Sequence, residues 1–288
     1  MYRFSHFVIT RFNLKLYARD KKNKPVRTEQ WLKHRFEMFE QYCLPSVAAQ
    51  TCTNFTWLCL FDEQTPEHYR QRIDSYRDDC PYFCPVFYDE HQTVQLSHSL
   101  HHTIAEIIEK QGKPVDYLIT TNLDNDDSLS IHAVGALQQY IKMEDTQKQI
   151  YSFLYGYQYF TKTGLMVKMR YTNNHFLTLT EPYHGEEELK TIISYRHGPA
   201  IKQFPTHFIS TKQGMWLEIA HEKNVSNDFR INIKVLYIPV MRSRNFSDFG
   251  VKMKVAWQKQ WLMSLTILPV GFLFTAIMRL ITKPLRKK

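Results

Sequence analysis

The segment Asp116-Tyr-Leu-Ile-Thr-Thr-Asn-Leu-Asp-Asn-Asp-Asp127 constrains this chain more than any other. Tyr117 to Thr121 is apolar and β-prone, and Asp124, Asp126 and Asp127 follow within a few residues. Three carboxylates packed this closely repel one another unless water or a cation lies among them. A strand that runs into such a cluster delivers it to its own C-terminal end, where open α/β sheets bind ligands. Two readings of the turn stand side by side. One is a solvated acidic turn, with Asn125 and Ser128 supplying the turn chemistry. The other is a seat for a hard divalent cation that shares oxygen ligands with substrate phosphates.

The flanking sequence predicts an α/β fold with a mostly parallel sheet flanked by helices. Phe7-Val-Ile-Thr10 is a short β-branched run. From Trp31 to Ala49 apolar residues recur at helical spacing, with Pro45 as a break or kink. Phe55 to Phe61 reads as a strand ending in Asp62, and Thr65-Pro66-Glu67 opens a helix. Tyr82 to Tyr88 is a third strand, placed at an edge or bulge by Pro85. Ser97 to Lys110 is helical, Tyr117 to Thr121 is the fourth strand, and a helix follows from Ser130. Strands alternating with helices imply a sheet covered on both faces, with Asp62 and the acidic turn at its ligand-binding edge.

From Ile150 the texture changes. Ile150 to Phe160, Leu165 to Tyr171 and His175 to Thr180 read as aromatic-rich antiparallel strands, and mixed structure continues to about Val240. The aromatics of Tyr151 to Phe160 are expected in the core rather than on a ligand-binding face. The expected organisation is a domain over 1–240, with a nucleotide-binding half (1–145) and a second half (146–240), followed by a tail at 241–288.

The formal net charge of +9 suits nucleic acid, anionic lipid or a phosphorylated substrate. No RNP, zinc-finger or helix-turn-helix signature is present, and much of the charge sits at 19–27 and in the tail, so nucleic acid is not an expected partner. An EF-hand is excluded because 124–135 lacks the central Gly and terminal Glu. The five cysteines are odd in number and no secretory signal opens the chain, so free thiols in the cytoplasm are expected. Cys80-x-x-x-Cys84 with His91 lacks the paired spacing of a zinc site. In the tail, Trp261 to Met278 is uncharged but interrupted by Pro269 and Gly271. Lys252, Lys254 and Lys259 precede it and Arg286 to Lys288 follow. Positive charge on both flanks fits a segment lying in the inner face of the cell membrane better than one crossing it; a helix packed on the soluble domain is the alternative.

Four blocks carry a family resemblance: Tyr2 to Asn13, Leu44 to Leu58, Leu123-Asp-Asn-Asp-Asp127 and Trp216 to Asn227. Together they resemble the bacterial rhamnosyltransferase family, glycosyltransferases of the GT-A type, over residues 2–227. Asn122 stands where that family usually carries Arg, and Glu218 where Gln is common. The resemblance implies a donor that is a nucleoside-diphosphate sugar, dTDP-rhamnose among them. It also implies Mn2+ or Mg2+ on an Asp-x-Asp motif, and a glycan or glycolipid acceptor in surface polysaccharide synthesis.

The roles expected on that basis are as follows. Asp126, Asp124 and His221 hold the metal. Thr10, Arg11, Asn13, Asp62 and Asp124 line the donor pocket. Glu218, with Asp127 as the other available acid, takes the acceptor hydroxyl's proton, and Trp216, Asn224 and Asn227 contact the acceptor. Asp126→Ala is expected to abolish turnover while leaving stability equal or higher, through relief of acidic repulsion. The competing reading is a non-catalytic nucleotide- or glycan-binding protein on the same fold.

Overall fold

The computed structural model describes residues 3–16, 28–141, 147–221, 236–240 and 246–252, with positions 255, 258, 260–262, 265–266, 269–270 and 273. The basic stretch 19–27, Asn224, Asn227 and most of the tail lie outside the described residues. The first half runs β1 (Phe4–Arg11), α1 (Glu29–Met38), a π-helical segment (Phe39–Cys43), α2 (Leu44–Ala48), β2 (Thr56–Asp62), α3 (Glu67–Asp79), β3 (Phe83–Tyr88), α4 (Glu90–Val94), α5 (Leu96–Gln111), β4 (Tyr117–Asn122), β5 (Ser128–Leu129) and α6 (Ala133–Tyr140). The second half adds β6 (Gln149–Phe153), β7 (Tyr155–Phe160), β8 (Leu165–Arg170), β9 (Leu177–Pro182), α7 (His197–Gln203), β10 (Thr206–Ile209), β11 (Trp216–Ala220) and β12 (Leu236–Pro239).

Seven strands form the main sheet in the order β10-β6-β9-β4-β1-β2-β3. The run β4-β1-β2-β3 is parallel throughout, and β9 enters antiparallel to both β4 and β6. β1, β2 and β4 are largely buried on both faces, β3 at the edge is half-buried, and the alternation along the strands divides the core. Val8, Trp57, Cys59 and Phe61 pack with α1, α3 and α6, whereas Phe7, Ile9, Leu58 and Leu60 pack with Leu100, Ile104 and Ile108 of α5. β3, which contains Pro85, lies at the sheet edge as expected. The missing N–H of proline is harmless where no further strand pairs.

Two local expectations are refined. Of the break or kink expected at Pro45, the break does not occur. The chain widens into the π-helical segment just before it, then continues as α2 with proline in its first turn. A proline ring inside a helix clashes with the carbonyl four residues earlier, and a π turn relieves that crowding. Nor is Ile150 to Phe160 one strand: it divides at Leu154 into β6 of the main sheet and β7 of a second sheet. The second sheet has the order β12-β8-β7-β11-β5, and its aromatics Tyr157, Tyr159 and Phe160 are buried. β7 and β11 lie in contact with little room, because a Cβ on Gly156 would fall 1.9 Å from the Trp216 ring.

β4 of the main sheet is joined to β5 of the second directly by the acidic turn, as β6 is joined to β7 at Leu154, so the turn lies between the two sheets. Because β1, β2 and β4 are parallel, Arg11 to Asn13, Asp62 and Asn122 to Asp127 all emerge at the same edge.

At the opposite end of the sheet His6 is buried with both ring nitrogens engaged. Gln138 Nε2 donates to Nδ1 at 3.1 Å, and Nε2 meets Thr121 Oγ1 at 2.9 Å. The Gln138 amide also donates to the Asn54 carbonyl, which fixes the neutral tautomer of the imidazole. Burial lowers the His6 pKa from 6.5 to about 3. Unfolding restores the ordinary value, so between those limits the unfolded chain binds the extra proton. The His6 contribution is therefore intact above pH 6.5 and is lost as pH falls, by up to about 1.4 kcal/mol per pH unit. In urea titrations from pH 7 to 4.5, His6→Gln should lose stability less steeply than the parent chain; equal slopes would overturn this account.

Candidate active site

The acidic turn is built by backbone demand before charge enters. Leu123 N–H continues the β1 pairing to the Ile9 carbonyl at 3.0 Å, and Asp127 N–H closes the turn on the Asp124 carbonyl at 3.2 Å. The Asn125 amide reaches back to the Phe12 carbonyl at 2.7 Å and the Arg11 carbonyl at 3.3 Å. Ser128 Oγ donates to the Tyr42 carbonyl at 2.8 Å, a backbone oxygen within the π-helical segment. Both ends of the turn are thus held by neighbouring elements.

The three carboxylates then divide. Asp126 Oδ2 accepts from Arg35 Nη1 at 3.1 Å and lies 3.0 Å from His221 Nε2. The same Arg35 nitrogen donates to Asn125 Oδ1 at 2.9 Å. His34 Nε2 in turn lies 3.4 Å from His221 Nδ1. Asp127 Oδ1 accepts the Ile219 backbone N–H at 2.8 Å, while Oδ2 meets His175 Nε2 at 2.7 Å. Asp124 is the most exposed of the three, and its Oδ2 lies 3.8 Å from the same imidazole nitrogen. Among the described residues, Asp124, Asp127 and His175 form the one set of three such side chains with ligand atoms within 4.8 Å of each other.

Electrostatics follow this partition. Burial by itself would raise Asp126, but the His221 hydrogen bond and the Arg35 charge outweigh it and hold the group below the usual carboxylate range. Burial, aided by Asp126 and Glu218, pushes Asp127 up to about 8 against the His175 hydrogen bond. For His175 burial works against the charged ring, yet Asp127, Asp124 and Glu218 raise it to about 10. Asp127 and His175 therefore titrate as one coupled pair. Glu218, on β11 beside the turn, is raised by burial and further by Asp126 and Asp124, and Gln158 Nε2 donates to its Oε2 at 3.3 Å.

The structure brings together Asp124, Asp126, Asp127, Glu218 and His221 from the sequence reading. Asp62 and Asn13 meet at the same sheet edge: Asp62 N–H donates to Asn13 Oδ1 at 2.9 Å, and the Asn13 amide donates to Thr65 Oγ1 at 3.0 Å. Lys15 Nζ lies 3.9 Å from Asp62 Oδ2. Arg11 ends β1 and is half-buried. Two expected residues face the wrong way. The Thr10 hydroxyl is fully buried and accepts from Trp57 Nε1 at 3.0 Å, so it packs the core and not a pocket. Trp216 is fully buried, with its indole N–H on the Phe153 carbonyl and its ring stacked on Phe176, so no face is left for an acceptor.

Sequence reasoning missed Arg35, His34 and His175. His175 opens a strand-like segment behind two asparagines, the one local sign of a polar group at a strand start. Arg35 is one of 37 basic residues and carries no distinguishing spacing.

The chain belongs to the glycosyltransferase family described as "Putative rhamnosyl transferase", whose model matches residues 1–233. No curated protein matches. Among solved structures the chain is similar to S. aureus TarS, at 12% identity over 76% of this chain with a TM-score of 0.37. A TarS fragment, 1–349, gives 10% identity over 75% of this chain with a TM-score of 0.38. The chain spans 37% and 60% of those two structures. A nucleoside-diphosphate-sugar pyrophosphorylase from Vibrio cholerae RC9 gives 12% identity over 85% of this chain and 99% of its own, with a TM-score of 0.31. Likeness at this level leaves the chemistry to be argued from the site.

The Arg35–Asp126–His221 contact changes what Asp126→Ala should do. Removing the carboxylate leaves a mostly buried guanidinium without its partner, which outweighs relief of acidic repulsion. Asp126→Ala should lower the unfolding free energy by about 3 kcal/mol in chemical denaturation. Unchanged or increased stability would restore the repulsion account.

Proposed function

We propose that the chain is a metal-dependent GT-A type glycosyltransferase. It moves a sugar, rhamnose by its family's description, from a nucleoside-diphosphate donor to a hydroxyl of a glycan or glycolipid acceptor. The observation that carries this reading is the convergence of Asp124, Asp127, Glu218 and His175 at the carboxyl ends of parallel strands, beside Asp62 and Asn13. Residues 1–240 are the catalytic unit in this reading, with the donor over Arg11, Asn13 and Asp62 and the diphosphate over the acidic turn. Oxygen donors with imidazole fit Mn2+ or Mg2+. A bound divalent cation supplies neutralisation of the charge that develops on the leaving diphosphate.

The remaining chemistry belongs to the chain. The acceptor oxygen bonds to the anomeric carbon as the bond from that carbon to the diphosphate oxygen breaks, and the leaving group keeps that electron pair. Glu218 takes the hydroxyl proton, and its raised proton affinity suits a general base. Gln158 holds the Glu218 carboxylate in place.

Screening nucleotide sugars for donor hydrolysis, with Mn2+ and with EDTA, tests the reading. Turnover should require metal, and Glu218→Gln should reduce transfer by about 100-fold or more while nucleotide binding persists. A nucleoside diphosphate that binds with Mn2+, with no nucleotide sugar ever hydrolysed, would favour the non-catalytic binding protein instead.

The tail is proposed to hold the enzyme on the inner face of the cell membrane. No helix among the described residues is long and apolar enough to cross a membrane. Trp261, Leu262, Leu265, Val270 and Leu273 are all exposed, between basic flanks. Such a composition lies in an anionic interface, and each basic residue near it adds about 1 kcal/mol. The full chain should pellet with vesicles containing phosphatidylglycerol and stay in solution with phosphatidylcholine alone. Equal recovery in both supernatants would rule the membrane reading out.

A further inference from the structure

We infer that Arg35 is a built-in cation of the proposed site, which weakens its hold on a free divalent ion and strengthens its hold on the donor's diphosphate, so that metal and donor load together. The role in donor binding rests on the glycosyltransferase reading, whereas the placement of the charge does not depend on it.

The core brings Arg35 to the acidic turn. α1 begins at Thr28, whose Oγ1 accepts the Trp31 N–H at 3.2 Å, and it buries Leu32 and Phe36. Arg35 lies one turn after Trp31, and its guanidinium carbon is 5.2 Å from the Trp31 ring centroid. Nη1 donates to Asn125 Oδ1 at 2.9 Å and to Asp126 Oδ2 at 3.1 Å. The side chain is only 13% exposed. One ring and two turn oxygens therefore hold the charge in place.

Hydrogen bonding alone does not call for a guanidinium here. Asp127, with 4% of its side chain exposed against 12% for Asp126, is satisfied by a backbone N–H and an imidazole. Asp126 already has an imidazole in His221, with Nε2 at 3.0 Å. Among the described ion pairs of Asp124, Asp126 and Asp127 the partners are His175, His221 and Arg35. Of these, Arg35 alone carries a charge that no accessible pH removes.

A permanent positive charge acts with opposite sign on the two ligands of this site. A divalent ion on Asp126 shares that carboxylate with the guanidinium, well inside the Debye length of about 8 Å, so the two cations repel with little screening. A diphosphate over the same turn is attracted by both. At the dielectric of a protein surface, one charge at such range moves a binding constant by about 10-fold or more. The diphosphate thus cancels the repulsion that the ion meets from Arg35. The ion cancels the repulsion that the diphosphate meets from Asp124 and Glu218. If Arg35 only held Asp126 in place, its loss would loosen the turn for both ligands alike.

Opposite signs are measurable. Mn2+ alone is titrated into the full chain by electron paramagnetic resonance, and dTDP and UDP are each titrated in EDTA by calorimetry. Arg35→Gln should bind Mn2+ about 10-fold more tightly and the nucleotide about 10-fold more weakly. Arg35→Lys, which keeps the charge and loses the fork, should stay within about 3-fold of the parent for both. If the glutamine variant unfolds, Arg35→Met, whose apolar stem still packs on Trp31, carries the same expectations. In the parent chain Mn2+ and the nucleotide should each tighten the other by about 10-fold or more. Weaker or unchanged Mn2+ binding in the neutral variant, unchanged nucleotide binding there, or independent binding of the two in the parent overturns the inference, as does a parent that binds neither nucleotide. Opposite shifts in a chain that hydrolyses no nucleotide sugar uphold the role of Arg35 and sink the glycosyltransferase reading. Metal-dependent donor hydrolysis, with both affinities unmoved in the neutral variant, does the reverse.

Discussion

The arrangement depends on one buried carboxylate. Asp127 accepts the Ile219 N–H of the second sheet through one oxygen and meets His175, which leads into β9 of the main sheet, through the other. A buried carboxylate without partners costs several kcal/mol, so a chain that buries Asp127 must bring both partners to it. Meeting that demand sets β11 beside the turn, and with β11 comes Glu218. The relative position of the two sheets and the composition of the site therefore share one cause.

Charge is separated within three residues by what each carboxylate touches. Asp126 is neutralised by the protein's own guanidinium and imidazole, Asp127 is hydrogen-bonded to His175, and Asp124 keeps its face to solvent. A row of like charges thus becomes a graded series, from satisfied to available. Repulsion among the three, the dominant consideration when only their spacing is known, is dispersed into three different environments.

Much of the scaffold was legible in the chain. The strands around Phe7, Phe55, Tyr82 and Tyr117 announce themselves by β-branched and aromatic runs, and the acidic turn by its position after the fourth. Local pattern stops short at the points where tertiary contact decides. Thr10 and Trp216 are ordinary candidates for a pocket until Trp57 and Phe176 cover them. The run Ile150 to Phe160 has one continuous β pattern, and nothing in it marks the change of sheet at Leu154. Arg35 and His175 lie 91 and 48 residues from the carboxylates they contact, distances over which periodicity carries no information. Pro45 signals a disturbance, and its form, a π turn with Phe39 and Tyr42 buried, is not marked in the local pattern.

The joint between the sheets also bears on how the chain acquires its shape. The β5–β11 pairing and the Ile219–Asp127 bond join residues 87 to 92 apart, and the β1–β4 pairing that carries the turn joins residues 113 apart, whereas β1 with β2 and β2 with β3 meet through shorter connections, so the contacts that build the turn carry the larger loop-closure cost. A nascent or partly folded chain would then carry its three aspartates on an unclosed turn. Completion of that edge therefore waits on contacts between distant parts of the chain.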